Sequence, residues 1–399
     1  MSNFVRKYIK GDQSIWVIVV FLALVSLLTV YSATGSLAYK TQGGNTTYFM
    51  FKQLTFLLMG IGVIVVVHHI PYKYFVIFSV PALYISIFLL GLTLVSGQNL
   101  NEASRWFTVP GIGITFQPSE MAKLALIVYV ARVLAQHQRE EGPTEGAFWP
   151  IMIHTGIVCL LIFPENLSTA MLLAGVVMLM MFLGRVPFKF LFFTGFTGVA
   201  IVSLVLILAM NDIVLIDRAE TWAARVERFL DDEQEANEYG SDYQLIQSKI
   251  AIATGGIFGK GPGNSDQRNF LPHPYSDFIY AIIAEEFGFP GALMVIVAYF
   301  FLLGRIGVIV SSSNRTFPAF MVLGLGLMLV IQAFVNMGVA VGIFPVTGQP
   351  LPLVSMGGTS ILFTCFALGA IQTVSRHNQK VKEREKAAEA RLAAAAQSN

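Results

Sequence analysis

The sequence predicts an all-α polytopic membrane protein. It should have about ten transmembrane helices, both termini cytoplasmic, and one long extracytoplasmic loop between helices 7 and 8. Three observations predict this. First, 55% of the 399 residues are hydrophobic and only 13% charged, against about 25% charged in a soluble domain; mean hydropathy is +0.66. Second, apolar runs of about 20 residues, the length that crosses a bilayer, recur along the chain. Third, Lys and Arg cluster in alternate connections, as the positive-inside rule requires. A net charge of +2 is too small to imply nucleic acid as a partner. Cys159 and Cys365 both sit in apolar runs and read as buried small hydrophobes, not as a disulfide.

Taken in order, the candidate spans are residues 15–33, 48–67, 74–95, 119–135, 149–163, 167–183, 189–210, 277–303, 317–342 and 358–375. The first follows Arg6, Lys7 and Lys10 and is too long for the roughly 7–15-residue core of a signal peptide, so it reads as retained. The chain thus divides into a cytoplasmic N-terminus (1–14), a ten-helix membrane domain (15–375) and a charged cytoplasmic tail (376–399). Arg305, Arg315 and the basic tail from Arg376 to Arg391 then lie inside. The short outer loops carry only Lys40, Lys52 and Arg105, with Lys123 just inside a helix.

The outer segment 211–276 has content of its own. Trp222, Arg225, Arg228 and Phe229 make a partly amphipathic stretch suited to a membrane surface. The acidic run from Asp231 to Glu238 follows, then a short helix over Tyr243–Ala253. A glycine-rich turn, Gly255 to Ser265, closes the segment. It is no P-loop, because Thr254 and Gly261 stand where that motif needs Gly and Ser or Thr. Its amides together with Lys260 could hold a pyrophosphate; the plain alternative is a flexible turn.

Charged groups near the bilayer are costly and mark candidate sites. Asp277 follows Leu271-Pro272-His273-Pro274-Tyr275-Ser276 where the outer loop ends and the eighth span begins. A carboxylate there is either a helix cap or a base whose ionised form the helix dipole favours. Glu120 and Lys123, behind Gln117-Pro118-Ser119, are three apart on one face and can pair. Glu285 and Glu286 lie deeper in the eighth span, where Pro290 should bend the helix. Phe344 to Ser360, with three prolines and a Gly357-Gly358 pair, reads as a re-entrant segment; such backbone survives at membrane depth only against protein or a wet cavity. Ser355, Thr359 and Ser360 are its candidate contacts to substrate. The scattered histidines make no zinc pattern.

In this order, Arg105-Trp106, Gln117-Pro118-Ser119-Glu120 with Lys123, Gly259 to Ser265, Leu271 to Glu286 with Gly288, and Gly348 to Ser360 resemble the SEDS family, the shape, elongation, division and sporulation proteins RodA and FtsW. Gly263-Asn264-Ser265 looks more like the FtsW branch. The likeness departs at His273-Pro274-Tyr275-Ser276, where the family usually has a glutamate and a threonine, and at Pro164-Glu165-Asn166-Leu167-Ser168-Thr169. The resemblance implies a peptidoglycan glycosyltransferase that polymerises lipid II at the outer face of the bacterial cytoplasmic (inner) membrane during division or elongation. It also implies a class B penicillin-binding protein as partner, among other divisome or elongasome membrane proteins, and the family's essential aspartate at Asp277.

That chemistry fits these residues. A carboxylate can take the proton of an attacking sugar hydroxyl. The leaving pyrophosphate needs cations, from Arg105, Lys123 and Lys260 or from a divalent ion such as Mg or Mn. The rival classes are a transporter that flips lipid II and a non-catalytic division scaffold. The missing inverted repeat and the gathering of candidate groups on one side favour the enzyme.

Overall fold

The computed structural model describes residues 11–96, 98–100, 103–108, 115–138, 144–211, 213, 218–230, 241–271 and 274–397; of 98–108 it describes the backbone alone. The helices are α1 Gln13–Ala33, α2 Gly35–Gln42, α3 Thr46–Val67, α4 Lys73–Ser96, α5 Pro118–His137, α6 Phe148–Ile162, α7 Leu167–Leu183, α8 Phe188–Met210, α9 Ala219–Leu230, α10 Ser241–Gly255, α11 Ile279–Ser311, α12 Thr316–Ala340 and α13 Thr359–Gln397. One departure from the all-α expectation is a small antiparallel sheet between α4 and α5. Its strands β1 Gln98–Leu100, β2 Ala103–Thr108 and β3 Thr115–Phe116 pair in chain order. The aromatic and β-branched residues of Trp106-Phe107-Thr108 and Thr115-Phe116 favour it.

Local signals set several helix starts. The Asp12 side chain accepts from the Ser14 amide (2.9 Å) ahead of α1, Asn166 accepts from the Thr169 amide (3.1 Å) ahead of α7, and Pro118 opens α5 where its missing N–H does no harm. Among the described residues seven helices are long and apolar enough to cross a membrane: α1, α3, α4, α6 with its preceding turn, α8, α11 and α12. At 17 residues α7 is an apolar helix below that length. In α5 the hydropathy is diluted by Glu120, Lys123 and Arg132, yet the helix is buried from Ala122 to Leu134 with few breaks. It is surrounded by protein, which is why it tolerates charge. By contrast α8 shows Phe188, Phe192 and Phe196 on its exposed surface, as a helix at the rim of a bundle in lipid would.

The outer segment is more tightly docked than its amphipathic pattern implied. Trp222 of α9 is buried, its ring 5.2 Å from that of Phe163, and Ala219 and Ala223 pack with it against α8. Ala219, Trp222 and Ala223 are therefore satisfied by the bundle, while the side chains of Arg228 and Phe229 lie outside the described residues. The acidic run 231–240 lies outside the described residues. The charged tail continues α13 as helix to Gln397.

The eighth predicted span does break, and the break has a defined repair. Inside α11, Gly288 adopts φ 65°, and Pro290 has no N–H to give the Glu286 carbonyl. The glycine-rich turn after α10 fills the gaps. The Lys260 amide donates to the Glu285 carbonyl (2.9 Å), the Gly261 amide to the Glu286 carbonyl (2.9 Å), and the Phe289 amide to the Gly256 carbonyl (3.0 Å). The approach needs glycine. A Cβ on Gly288 would lie 2.4 Å from the Ile257 carbonyl oxygen, and one on Gly259 would lie 2.3 Å from that of Glu286. The turn is a splice that completes a broken helix.

Candidate functional site

The long helices alternate in direction. The starts of α5, α7, α11 and α13 and the ends of α4 and α12 therefore meet at one end of the bundle. Asp277 lies there in the turn 274–278, just ahead of α11. It is not the helix cap considered from sequence: Phe278 holds the N-cap position, with no side-chain bond. The Asp277 side chain is half-buried, and its Oδ1 accepts from the Ser276 hydroxyl at 2.8 Å. Neighbouring Tyr275 is held above the ordinary phenol range, by burial first and then by the charge of Asp277, so it stays protonated beside the carboxylate.

The segment 344–358 between α12 and α13 has no regular structure and packs against this turn. The Ser355 hydroxyl donates to the Ser276 carbonyl (2.6 Å) while accepting from the Leu351 amide (2.8 Å). The Met356 amide donates to the Tyr275 carbonyl (2.9 Å). From α12, Asn336 Nδ2 donates to both the Asp277 carbonyl (2.8 Å) and the Gln349 carbonyl (2.7 Å). Gly348, at φ 65°, brings the segment alongside the carboxylate: a Cβ there would sit 3.5 Å from Asp277 Oδ2.

The rest of the segment is fastened to the bundle as irregular backbone at membrane depth must be. Ser26 donates to the Val354 carbonyl (2.7 Å) and is itself bonded by Gln53 (2.7 Å). The Tyr299 hydroxyl donates to the Pro352 carbonyl, and Gln349 Nε2 to Thr169 (2.7 Å). Arg225 of α9 donates to the Val346 carbonyl (3.2 Å). These ties hold Leu353 at φ 66°, a conformation uncommon for a bulky residue and one that tends to occur at functional sites.

Lys123 and Glu120 form the expected pair at 2.7 Å, with side chains only 3% and 13% exposed. The pair joins the same network. Lys123 Nζ also donates to Gln332 Oε1 (3.4 Å), and Gln332 Nε2 to the Pro350 carbonyl (2.9 Å). One turn separates Gln332 from Asn336 on α12, so a single helix face links the cation to the backbone of Asp277.

Other predicted residues fall elsewhere. Lys260 binds two carboxylates, Glu285 at 2.6 Å and Asp266 at 2.9 Å. Burial lowers its pKa, but the hydrogen bonds to Glu285 and Asp266 outweigh that, leaving it raised. Asp266 is lowered by its bond to Lys260. With the amides of 260 and 261 engaged in the splice, the turn is occupied within the protein, away from the arrangement that holds a pyrophosphate. Ser355 serves as the pin just described. Thr359 is buried with a hydroxyl that meets no partner among the described residues, and Ser360 is half-buried in the first turn of α13. The backbone of Arg105 lies in β2; its side chain is outside the described residues.

Residues 12–380 match the family profile of FtsW/RodA/SpoVE cell cycle proteins. The chain belongs to this family. Among FtsW relatives, it is 34% identical over 368 residues to a probable peptidoglycan glycosyltransferase FtsW of Trichlorobacter lovleyi, covering 91% of this chain and 93% of the relative. It is 33% identical over 381 residues to the protein so named from Halomonas elongata, covering 94% and 93%. Among solved structures, a chain of a peptidoglycan synthase complex that coordinates polymerization and crosslinking superposes with a TM-score of 0.72 at 25% identity, over 93% of this chain and 99% of that one. The Thermus thermophilus rod shape determining protein RodA superposes at 0.65 with 22% identity over 93% and 99%, and shares the fold.

For this FtsW/RodA-family chain, the charged residues were visible in the sequence, but Gln332, Asn336, Gln349, Gln53 and Ser26 were not singled out. The available signal was the pair Gln332 and Asn336, four apart in an otherwise apolar span, since a polar side chain there needs a partner as much as a charge does. Glu285, whose role the sequence left open, receives Lys260, the Ser265 hydroxyl, and the amides of Asp266 (3.2 Å) and Gln267 (3.4 Å). Among the described residues no three His, Cys, Asp or Glu side chains gather as a metal site.

Proposed function

We propose that the chain is a peptidoglycan glycosyltransferase that polymerises lipid II, with Asp277 as general base. One observation carries the assignment: Asp277 is a half-buried carboxylate whose backbone carbonyl and flanking turn are fixed by Asn336 and Ser355, and the same network reaches the Lys123–Glu120 pair through Gln332. A sugar hydroxyl of one substrate attacks the anomeric carbon of the other. As that C–O bond forms, Asp277 accepts the hydroxyl proton. The bond from the anomeric carbon to the lipid pyrophosphate breaks, and Lys123 and Arg105 offset the charge on the leaving group. Ser360 and Thr359 offer hydroxyls to the polar part of the substrate. In this reading Lys260 holds the glycine-rich turn against α11. A Mg or Mn ion travelling with the pyrophosphate suits the donor set, because such ions are commonly held by one carboxylate plus phosphate oxygens; the steps above do not depend on it.

The proposed topology is ten spans, the seven apolar helices plus α5, α7 and the first part of α13. Both termini lie inside and the Asp277 end faces outward across the inner membrane. A class B penicillin-binding protein is the proposed partner, in keeping with the synthase complex whose chain shares this fold. A cysteine at Glu235 should react with an impermeant reagent from outside, and one in the 380–399 tail should not; the opposite pattern would overturn the orientation. Purified protein incubated with fluorescent lipid II, alone and with the co-purified partner, tests the activity. Glycan polymer supports the enzyme. Flipping in vesicles without polymer identifies a transporter, and neither identifies a scaffold.

A further inference from the structure

The opposite end of the bundle carries two adjoining cavities that the reaction does not use. One, of about 640 Å³, lies between the start of α4, the α11–α12 connection and the extension of α13; Tyr72, Arg315, His377, Asn378 and Lys382 line it, with Glu385 as its one carboxylate. The other, of about 500 Å³, is walled by Leu183, Val310, Phe320 and Leu323. The two share Ser313, Asn314 and Arg315, so a polar chamber opens onto an apolar groove.

The chamber is electropositive. Among the described residues neither Arg315 nor Lys382 has a carboxylate within ion-pairing distance. The His377 ring packs edge-on against Tyr72 at 4.9 Å. Its pKa is depressed by burial and then by Arg315, Arg384 and Lys380, so several cations bear on one place. Asn378 is anchored to the Ile309 carbonyl and to Ser312, both at 3.1 Å, which fixes the wall. Helix α12 also begins here, with no side chain capping its first amides, and such an end favours an anion.

We propose that this end binds an anionic glycerophospholipid, with its phosphodiester in the chamber against Arg315, His377 and Lys382 and an acyl chain in the groove along Val310, Phe320 and Leu323. A polar cation-rich chamber continuous with an apolar groove matches a ligand with a charged head and an apolar tail better than it matches a soluble anion. Basic pockets between helices on the cytoplasmic side are a recurrent way to hold such headgroups. The leaflet assignment rests on the orientation proposed above; the binding does not.

The test uses the full chain in neutral detergent, delipidated, with binding read by native mass spectrometry and melting temperature. Dioleoyl phosphatidylglycerol, dioleoyl phosphatidylcholine and inorganic phosphate are titrated separately. Phosphatidylglycerol should bind at least about tenfold more tightly than phosphatidylcholine, the scale of one lost charge-assisted contact, and phosphate should bind far more weakly than either. Arg315→Ala with Lys382→Ala should abolish the preference, and Leu323→Trp, which fills the groove, should weaken both lipids. If the double variant does not fold, Lys382→Glu on the exposed helical extension should reduce the preference alone. Equal binding of the two lipids, a preference untouched by these variants, or phosphate binding as tightly as the lipid would each overturn the proposal. No arm requires catalysis, so failure here is separate from failure of the polymerase reading.

Discussion

Asp277 and Glu285 stand eight residues apart on one stretch of chain, and the structure treats them oppositely. Glu285 is 0% exposed and sealed by Lys260, Ser265 and two amides. Asp277 is half-buried, and the positive-φ residue Gly348, with no side chain, faces it. Both sites are held by irregular backbone, the glycine splice at Glu285 and the re-entrant segment at Asp277. In the first the carboxylate is the anchor that fixes the backbone. In the second, amide and hydroxyl side chains on other helices fix the backbone, and the carboxylate stays half-buried. The surroundings thus set the structural bolt at Glu285 apart from the carboxylate proposed as the base, where residue type does not.

The largest disturbance is expected at the bolt. Glu285→Ala removes the acceptor for four donors and leaves Lys260 without its buried partner. Breaking a buried pair costs about 3–5 kcal/mol, and the low end applies because the Lys260 side chain is 26% exposed. Thermal unfolding in detergent should show the loss; an unchanged melting temperature would put Glu285 in another role. Next comes the link to the cation. Lys123→Ala should reduce polymerisation by about 10- to 150-fold, the equivalent of about 1.5–3 kcal/mol for one charge-assisted contact, with the fold retained. Adding Glu120→Gln sharpens this: recovery of activity in the double variant would make the pair merely structural, and persistent inactivity is the expected result. Asn336→Ala should be milder, lowering activity and stability together by about 1–3 kcal/mol, because two carbonyls lose their donor. Its effect on melting temperature should be smaller than that of Glu285→Ala.

The smallest effect concerns pH. Lys260 is raised above its ordinary value of 10.5, so its contribution is complete below that value and is lost only as pH climbs past the raised pKa. Asp266 is lowered from its ordinary 3.8, so its contribution is present above that value and fades as pH falls through the depressed one. The Lys260–Asp266 contact should therefore persist between pH 3.8 and 10.5. Titration of the Asp266 carboxyl followed by carbon-13 NMR checks this, and a midpoint above 3.8 would contradict the reading.

Most of the architecture was legible in the sequence because hydrophobic runs of bilayer length carry their own signal. The charged helix α5 was readable too, although its place at the bundle centre was not, since periodicity says nothing about which helices surround it. The strands of the α4–α5 connection were too short to register. Asp277 could be singled out as a candidate from its position at a span boundary and from its neighbours in chain order. The glycine turn was misjudged for a physical reason: its sequence advertises free amides, but only the fold shows that Gly288 and Pro290 have left carbonyls for them to meet. The amide ladder of α12 was missed because uncharged Gln and Asn look like minor interruptions until the irregular backbone opposite them is seen.

The contrast between the two carboxylates is tested most directly by Asp277→Asn, which preserves shape and removes the base. Polymerisation of fluorescent lipid II and melting temperature should be read on one preparation. Glycan synthesis should fall by about 10²–10⁴-fold with the melting temperature unchanged. Glycan of wild-type length from the folded variant would contradict the account and return Asp277 to a structural role.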